Sequence, residues 1–202
     1  MARACQRSVA AAILVIASGN PAKVAEIGEM LSDLGLEVHR QPNDLDIEET
    51  GQTYLDNARL KAATVARLTG QWALGDDSGL EVDALDGQPG LFSARYANTD
   101  PERIARLLQA LGTTPYRSAS FNSAMALADP TGTIRAESQG ICRGEILLKP
   151  AGAGSGYDPI FWVREAGDSY ARLSPHLRLK LGSRGKAARA MAPRLRDALQ
   201  IQ

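Results

Sequence analysis

Ala12-Ile13-Leu14-Val15-Ile16-Ala17-Ser18-Gly19-Asn20-Pro21-Ala22-Lys23 decides the fold class. The apolar run over about 12–17 reads as a strand buried in a core. It is punctuated by Ser18-Gly19. Asn20 then suits a helix N-cap, and Pro21 suits the first helical position. Val24, Ile27, Leu31 and Leu34 follow at helical spacing, and Gly35 supplies a stop. A buried strand feeding directly into a helix is the opening unit of an α/β protein.

Working outward, 36–40 reads as a second strand and Glu48-Glu49-Thr50-Gly51 as a loop. Thr53 suits the cap of a helix through Leu68, with Leu55, Ala58, Ala62, Val65 and Ala66 as its apolar set and Gly70 at its end. Trp72-Ala73-Leu74 reads as a strand that stops at Gly75-Asp76-Asp77-Ser78-Gly79-Leu80. Asp100-Pro101 opens a further helix containing Ile104, Leu107, Leu108 and Leu111. The runs 118–128 and 133–142 flank Asp129-Pro130-Thr131-Gly132, which is a β-hairpin signature. Gly152 to Gly156 form a glycine-rich loop before a short apolar strand, 160–163. The chain ends on a helical tail that Pro193 is expected to interrupt. Strands alternating with helices early, with a hairpin late, predict an α/β fold built on a mixed sheet.

With 202 residues the chain fits one domain, or one domain of two lobes. Residues 1–10 are expected to be a loose extension of the domain at 11–202. The apolar run from Val9 to Ala17 behind two arginines imitates a secretory leader. That reading fails because the same run is the first strand of the fold. No run is long enough to span a membrane. Charge is balanced, 23 basic against 23 acidic residues, which argues against a broad nucleic-acid surface. Cys5 and Cys142 are the only cysteines, and no Cys/His cluster exists to hold zinc. Lone thiols suit a reducing, cytoplasmic setting. His39 and His176 are the only histidines, so a metal here is expected to be hard and oxygen-bound, as Mg2+ is.

Asp76 and Asp77 are adjacent acids that repel. Turn chemistry alone accounts for Asp-Asp-Ser-Gly, but a pair at a strand end also suits a cation. Lys23 falls near the third position of its helix, where a cation opposes the helix dipole at a cost of a few tenths of a kcal/mol. Beside Ser18 and Asn20 it would make an anion cradle, although no P-loop spacing is present. Lys61 falls near the apolar face of its helix, either snorkelling to the rim or facing an acid or phosphate. Ser183-Arg184-Gly185-Lys186 reads as a basic helix start.

Taken in order, Ser18 to Lys23, Glu49-Thr50-Gly51, Asn57 to Ala62, Gly75 to Leu85, Pro89 to Tyr96, Gly156 to Phe161 and Ser183 to Ala187 resemble the inosine triphosphate pyrophosphatase family. These house-cleaning enzymes hydrolyse non-standard purine nucleoside triphosphates such as ITP, dITP and XTP. The resemblance covers nearly the whole chain. It implies a mixed twisted sheet with flanking helices, two lobes around a deep cleft, Mg2+ dependence and a homodimer. The α–β phosphoanhydride would be cleaved, releasing pyrophosphate. By match of motif, Glu49 and Asp77 would hold Mg2+ with Asp76 beside them, and Asp77 would be the base for the attacking water. Ser18, Gly19, Asn20, Pro21, Ala22, Lys23, Lys61 and Ser78 would hold the phosphates. Ser155, Gly156, Tyr157, Asp158, Arg178, Ser183 and Arg184 would form the base-side pocket and its flank. Three acids from separate loops are thus expected around one cation.

The chain departs from that family where it would read the base. The usual Gly-Phe-Gly-Tyr-Asp has Ser155 in place of the stacking Phe. The usual Ser-His-Arg has become Gly182-Ser183-Arg184, and Glu-Lys-Asn has become Leu177-Arg178-Leu179. Losing a stacked aromatic costs about 1 to 3 kcal/mol of binding. The expectation is that hydrolysis survives with relaxed base selectivity. A non-catalytic nucleotide binder is the rival, and it would lack a metal carboxylate; Glu49, Asp76 and Asp77 are all present.

Overall fold

The computed structural model describes residues 11–201. The expected loose extension, 1–10, lies outside the described residues. The elements are β1 (Ile13–Ala17), α1 (Pro21–Met30), β2 (Glu37–Arg40), α2 (Tyr54–Thr69), β3 (Trp72–Val82), β4 (Pro89–Gly90), α3 (Asp100–Leu111), β5 (Ser118–Ala128), β6 (Ile134–Ile146), β7 (Phe161–Val163), β8 (Asp168–Ser169), α4 (Pro175–Leu181) and α5 (Ser183–Leu199). One mixed sheet carries them in the order β2-β1-β3-β5-β6-β7-β8, with β4 paired to β3. β1 is parallel to β2 and β3, and the pairs from β3 through β5, β6, β7 and β8 are antiparallel.

β1 explains the layering. Its side chains alternate between faces, and both faces are buried. Leu14 and Ile16 join Ile27 of α1 and Met191 and Leu195 of α5 on one face. Val15 and Ala17 join Ala58, Ala62 and Val65 of α2 on the other. Each large aliphatic side chain removed from water this way contributes about 2 kcal/mol. A third apolar cluster, with Leu80, Val82, Leu107, Phe161 and Val163, forms a second lobe at the far end of the long strands. The expected mixed-sheet architecture with flanking helices is thus observed.

The helix signals hold. Asn20 Oδ1 accepts from the backbone N–H groups of Ala22 and Lys23 at 2.9 and 3.4 Å, with Pro21 opening α1. Thr53 caps α2 and Gly70 ends it in the left-handed region. A reciprocal box between Thr99 and Glu102 starts α3.

Two expectations are corrected. β3 does not stop before the acidic pair; it runs for 11 residues, through Asp76 and Asp77 to Val82. Pairing with β5 across 73–82, added to β1 on the other edge, outweighs the local turn chemistry. The terminal helix is not interrupted either, for Pro193 lies inside α5. Its missing N–H costs about 3 kcal/mol. Burial of Ala187, Ala188 and Met191 before it and Leu195 after it holds the helix on the sheet.

Two glycines set how closely helices approach the sheet. A Cβ on Gly75 would fall on the Ala58 carbonyl oxygen of α2, and one on Gly140 would fall on the Ser183 carbonyl oxygen of α5. Both helices therefore touch the strands directly where the acidic pair and its neighbours lie.

Candidate active site

Once the acidic pair lies in a strand, alternation sends its two side chains to opposite faces. Their repulsion is relieved by separate cations. On the face of α1 and α5, Asp76 Oδ2 is 2.9 Å from Lys23 Nζ, and Arg184 Nε donates to both Asp76 oxygens at 3.3 Å. Arg184 also donates to Glu26 Oε2 at 2.7 Å and to Ser78 Oγ at 2.9 Å. The Asp76 side chain is 1% exposed. Burial alone would raise its pKa, but Arg184 and Lys23 outweigh that and hold it at about 2. Burial would likewise lower the Arg184 pKa, and Asp76 and Glu26 push it upward instead.

On the opposite face, α2 supplies Asn57 and Lys61, one helical turn apart and therefore side by side. Lys61 Nζ donates to Asp77 Oδ1 at 2.8 Å and lies 2.5 Å from Glu49 Oε1. Asn57 Nδ2 donates to Asp77 Oδ2 at 3.1 Å, and Arg95 pairs with Glu49 at 3.0 Å. Burial works against charge on Glu49 and Lys61 alike. Each is nonetheless held in its charged form, Glu49 by Lys61 and Arg95, and Lys61 by Asp77 and Glu49. Lys61 Nζ also reaches the Asp76 carbonyl oxygen at 3.3 Å, so the two cation sets flank one dipeptide.

The expected meeting of three acids around one cation is therefore corrected. Glu49 and Asp77 converge, while Asp76 faces away and is neutralised by Lys23 and Arg184. Among the described residues no group of three or more His, Cys, Asp or Glu is poised to hold an ion. The Glu49–Asp77 pair offers only carboxylate oxygens, and these already gather around a cation, the Lys61 ammonium. That donor set fits Mg2+, which takes one or two carboxylates and completes its shell with water and substrate phosphate.

A cleft of about 610 Å3 opens beside Asp76. It is lined by ten of the expected residues: Asn20, Lys23, Ser78, Ser155, Gly156, Tyr157, Asp158, Arg178, Ser183 and Arg184. Ser18, Gly19, Pro21 and Ala22 do not line it. They shape the start of α1, where Ser18 Oγ accepts from the Asn20 N–H at 3.2 Å. The Ala22 and Lys23 N–H groups are already bound by Asn20, and Asn20 and Lys23 are the residues of that stretch that line the cleft. A larger groove, about 830 Å3, between the start of β6 and the C-terminal half of α5 contains none of these residues.

At the far end the sequence-selected residues are mostly braced against protein. Tyr157 is buried, and its hydroxyl donates to the Ser93 carbonyl at 3.0 Å. The Gly156 N–H donates to Asp100 at 2.6 Å. Arg178 donates to Asp158 Oδ2 at 3.1 Å and to the Ala171 and Leu173 carbonyls, with its guanidinium over the Tyr170 ring. It acts as a strut for the glycine loop.

Burial raises the Asp158 pKa to about 6 against the opposing pull of Arg178. The folded state then keeps a proton that the unfolded chain releases near pH 4, so stability falls as pH rises from about 4 to about 6. Relative to Asp158→Asn, the wild type is expected to lose about 2 kcal/mol between pH 4 and pH 6.5. Chemical denaturation of both proteins across that window measures it. Parallel curves would show that Asp158 titrates normally.

Sequence reasoning missed four residues. Asn57 stands four before Lys61, and Glu26 three after Lys23, so helical spacing could have found both. Arg95 lies in the matched stretch Pro89 to Tyr96 but was given no role there, and Ser123, whose hydroxyl meets that of Ser183 at 2.8 Å, had no local signal.

The sequence profile of the Ham1 family matches residues 14–194. A dITP/XTP pyrophosphatase of Nostoc sp. is 48% identical over 184 residues, 91% of this chain and 94% of the relative. A dITP/XTP pyrophosphatase of Synechocystis sp. is 50% identical over 175 residues, 86% and 90% of the two chains. The structure of a HAM1 protein from Coxiella burnetii superposes with a TM-score of 0.84 at 40% identity, covering 92% of this chain and 99% of that one. The resemblance read from the ordered motifs is borne out.

Proposed function

The chain belongs to the Ham1 family, and we propose that it hydrolyses non-standard purine nucleoside triphosphates, ITP, dITP and XTP, to the monophosphate and pyrophosphate. The observation that carries this reading is the Glu49–Lys61–Asp77 cluster, joined through one dipeptide to the Lys23 end of a nucleotide-sized cleft. An anionic polyphosphate fits a cationic rim flanked by carboxylates that can share a metal. The names of the relatives point to two of these substrates, dITP and XTP.

In this reading Glu49 and Asp77 would hold Mg2+, which would supply Lewis-acid stabilisation of the phosphate charge. Asp77 accepts the proton of the attacking water. Lys61, placed between the two carboxylates, and Lys23, at the start of α1, stabilise charge growing on the leaving pyrophosphate. Asp76 is a positioning residue that fixes Lys23 and Arg184. No covalent intermediate is needed. The enzyme would work as a cytoplasmic homodimer, and among the described residues no helix is long and apolar enough to cross a membrane.

The test is pyrophosphate release from ITP, dITP and XTP by purified protein. Stoichiometric monophosphate and pyrophosphate are expected with Mg2+, and none after chelation. Binding of ITP without any release of pyrophosphate would favour a non-catalytic binder instead.

A further inference from the structure

Glu49 stands in 41–53, the connection between β2 and α2, which contains no helix or strand. Its carboxylate is held from two sides. Lys61 Nζ lies 2.5 Å from Oε1, and Arg95 Nη2 lies 3.0 Å from Oε2. The two cations are tied down to different degrees. The Lys61 side chain is 11% exposed and also donates to Asp77 and to the Asp76 carbonyl. The Arg95 side chain is 56% exposed, and among the described residues it makes no second ion pair. A half-exposed pair of this kind is weakly held, so Arg95 is the partner that can let go.

The backbone that carries Arg95 is fixed. Residues Ser93–Arg95 form one short 3-10 turn. Ser93 Oγ accepts from the Leu80 N–H of β3 at 2.8 Å and donates to the Gly90 carbonyl at 2.6 Å, and the Ser93 carbonyl accepts from the Tyr157 hydroxyl at 3.0 Å. Ser93 and Ala94 line the cleft, and the next side chain, Arg95, reaches to Glu49. The guanidinium is thus a long arm on a rigid base, where the cleft wall passes over to the carboxylate pair. The four side chains there balance in charge, Glu49 and Asp77 against Lys61 and Arg95. A divalent cation added alone would set four positive charges against two negative.

We propose that Arg95 is a displaceable counter-ion of Glu49: it competes with a bare divalent cation for Oε2, and it gives that oxygen up when the cation comes with a nucleoside triphosphate, whose phosphate oxygens receive the guanidinium instead. The proposal rests on the nucleotide reading above and deepens it. A triphosphate brings more negative charge than one divalent cation neutralises, so Arg95 exchanges one anionic partner for another and no cation is left unpaired. The planar guanidinium suits phosphate oxygens as well as it suits carboxylate. Lys61 cannot make the same exchange, because its ammonium is shared among three oxygens. Metal and triphosphate then each tighten the binding of the other, since coupling between two ligands is reciprocal. A fixed buttress would act in the opposite sense, for it would hold Glu49 ready and strengthen binding of the metal alone.

The experiment titrates the protein with Mn2+, read by electron paramagnetic resonance without nucleotide, in the wild type, Arg95→Ala and Arg95→Lys. Arg95→Ala is expected to bind Mn2+ about fivefold more tightly than the wild type, and Arg95→Lys, which keeps the charge, to bind it as the wild type does. The gain should vanish when Arg95→Ala is combined with Glu49→Gln, which ties it to that carboxylate. With ITP and Mg2+ the same Arg95→Ala protein should show KM raised about tenfold and kcat within about threefold, the signature of a lost phosphate contact. Mn2+ affinity that is unchanged or lower in folded Arg95→Ala overturns the proposal and leaves the pyrophosphatase reading intact, as does a gain that survives Glu49→Gln. Failure of the wild type to release pyrophosphate from any purine triphosphate removes the nucleotide reading itself, and the proposal with it.

Discussion

Asp77→Asn is expected to lower kcat for pyrophosphate release by about 10³-fold while the protein stays folded. The substitution keeps the shape of the side chain and removes its ability to take a proton. It also changes a local balance. Asp77 accepts from Lys61 through one oxygen and from Asn57 through the other. Asparagine has one acceptor oxygen for those two donors, so one donor faces an amide NH2. Lys61 still has Glu49 at 2.5 Å, which limits the structural cost. Circular dichroism and melting temperature should therefore stay close to wild type while turnover collapses. Glu49→Gln separates the two roles given to this cluster. Its defect should shrink as Mg2+ is raised, because Lys61 keeps Asp77 as a partner and metal affinity is the main loss, whereas the Asp77→Asn defect should persist at saturating metal because the proton acceptor is gone. Turnover by Asp77→Asn above a tenth of wild type would remove Asp77 as the base.

The contrast between what the sequence carried and what it did not is physical. Asn20, Pro21, Thr53 and the hairpin turn at 129–132 act over a few residues, so their roles were legible. The path of β3 was not, because Gly75, Asp76, Asp77 and Gly79 all disfavour strand locally. The strand exists through pairing with β1 and β5, partners far away in sequence. Once that pairing is known, the rest follows from alternation: Asp76 must face α1 and α5, and Asp77 must face α2. The base-side residues were selected by motif alone, and the motif could not say how many donors were free. Arg178 spends its guanidinium on Asp158, Ala171 and Leu173. Ser183, which interrupts the usual motif, is the group left with an adaptable hydrogen bond. Ser123 came into view only when β5 and α5 were placed against each other.

The same alternation makes Arg184→Met strongly destabilising. Asp76 is buried and ionised, held at about 2 by Arg184 and Lys23 against the cost of burial. Both cations reach its Oδ2, and Arg184 alone also reaches Oδ1. Methionine fills the volume but leaves that carboxylate with one partner, and removing one member of a buried ion pair costs about 3–5 kcal/mol. For a chain of this length that corresponds to roughly 10 °C in Tm. The pH dependence separates lost charge pairing from lost packing. In the wild type Asp76 contributes stability that is present above its unfolded pKa, near 4, and is lost as pH falls toward about 2. Without Arg184 its folded pKa rises, so the variant gains a proton where the wild type does not. The gap between the two proteins is then widest near neutral pH and narrows as pH drops below about 4. A packing defect would give the same gap at every pH. Calorimetry of both proteins at pH 7 and at low pH reads the difference directly, and a constant gap would mean that Arg184 holds the two helices by shape instead of by its charge on Asp76.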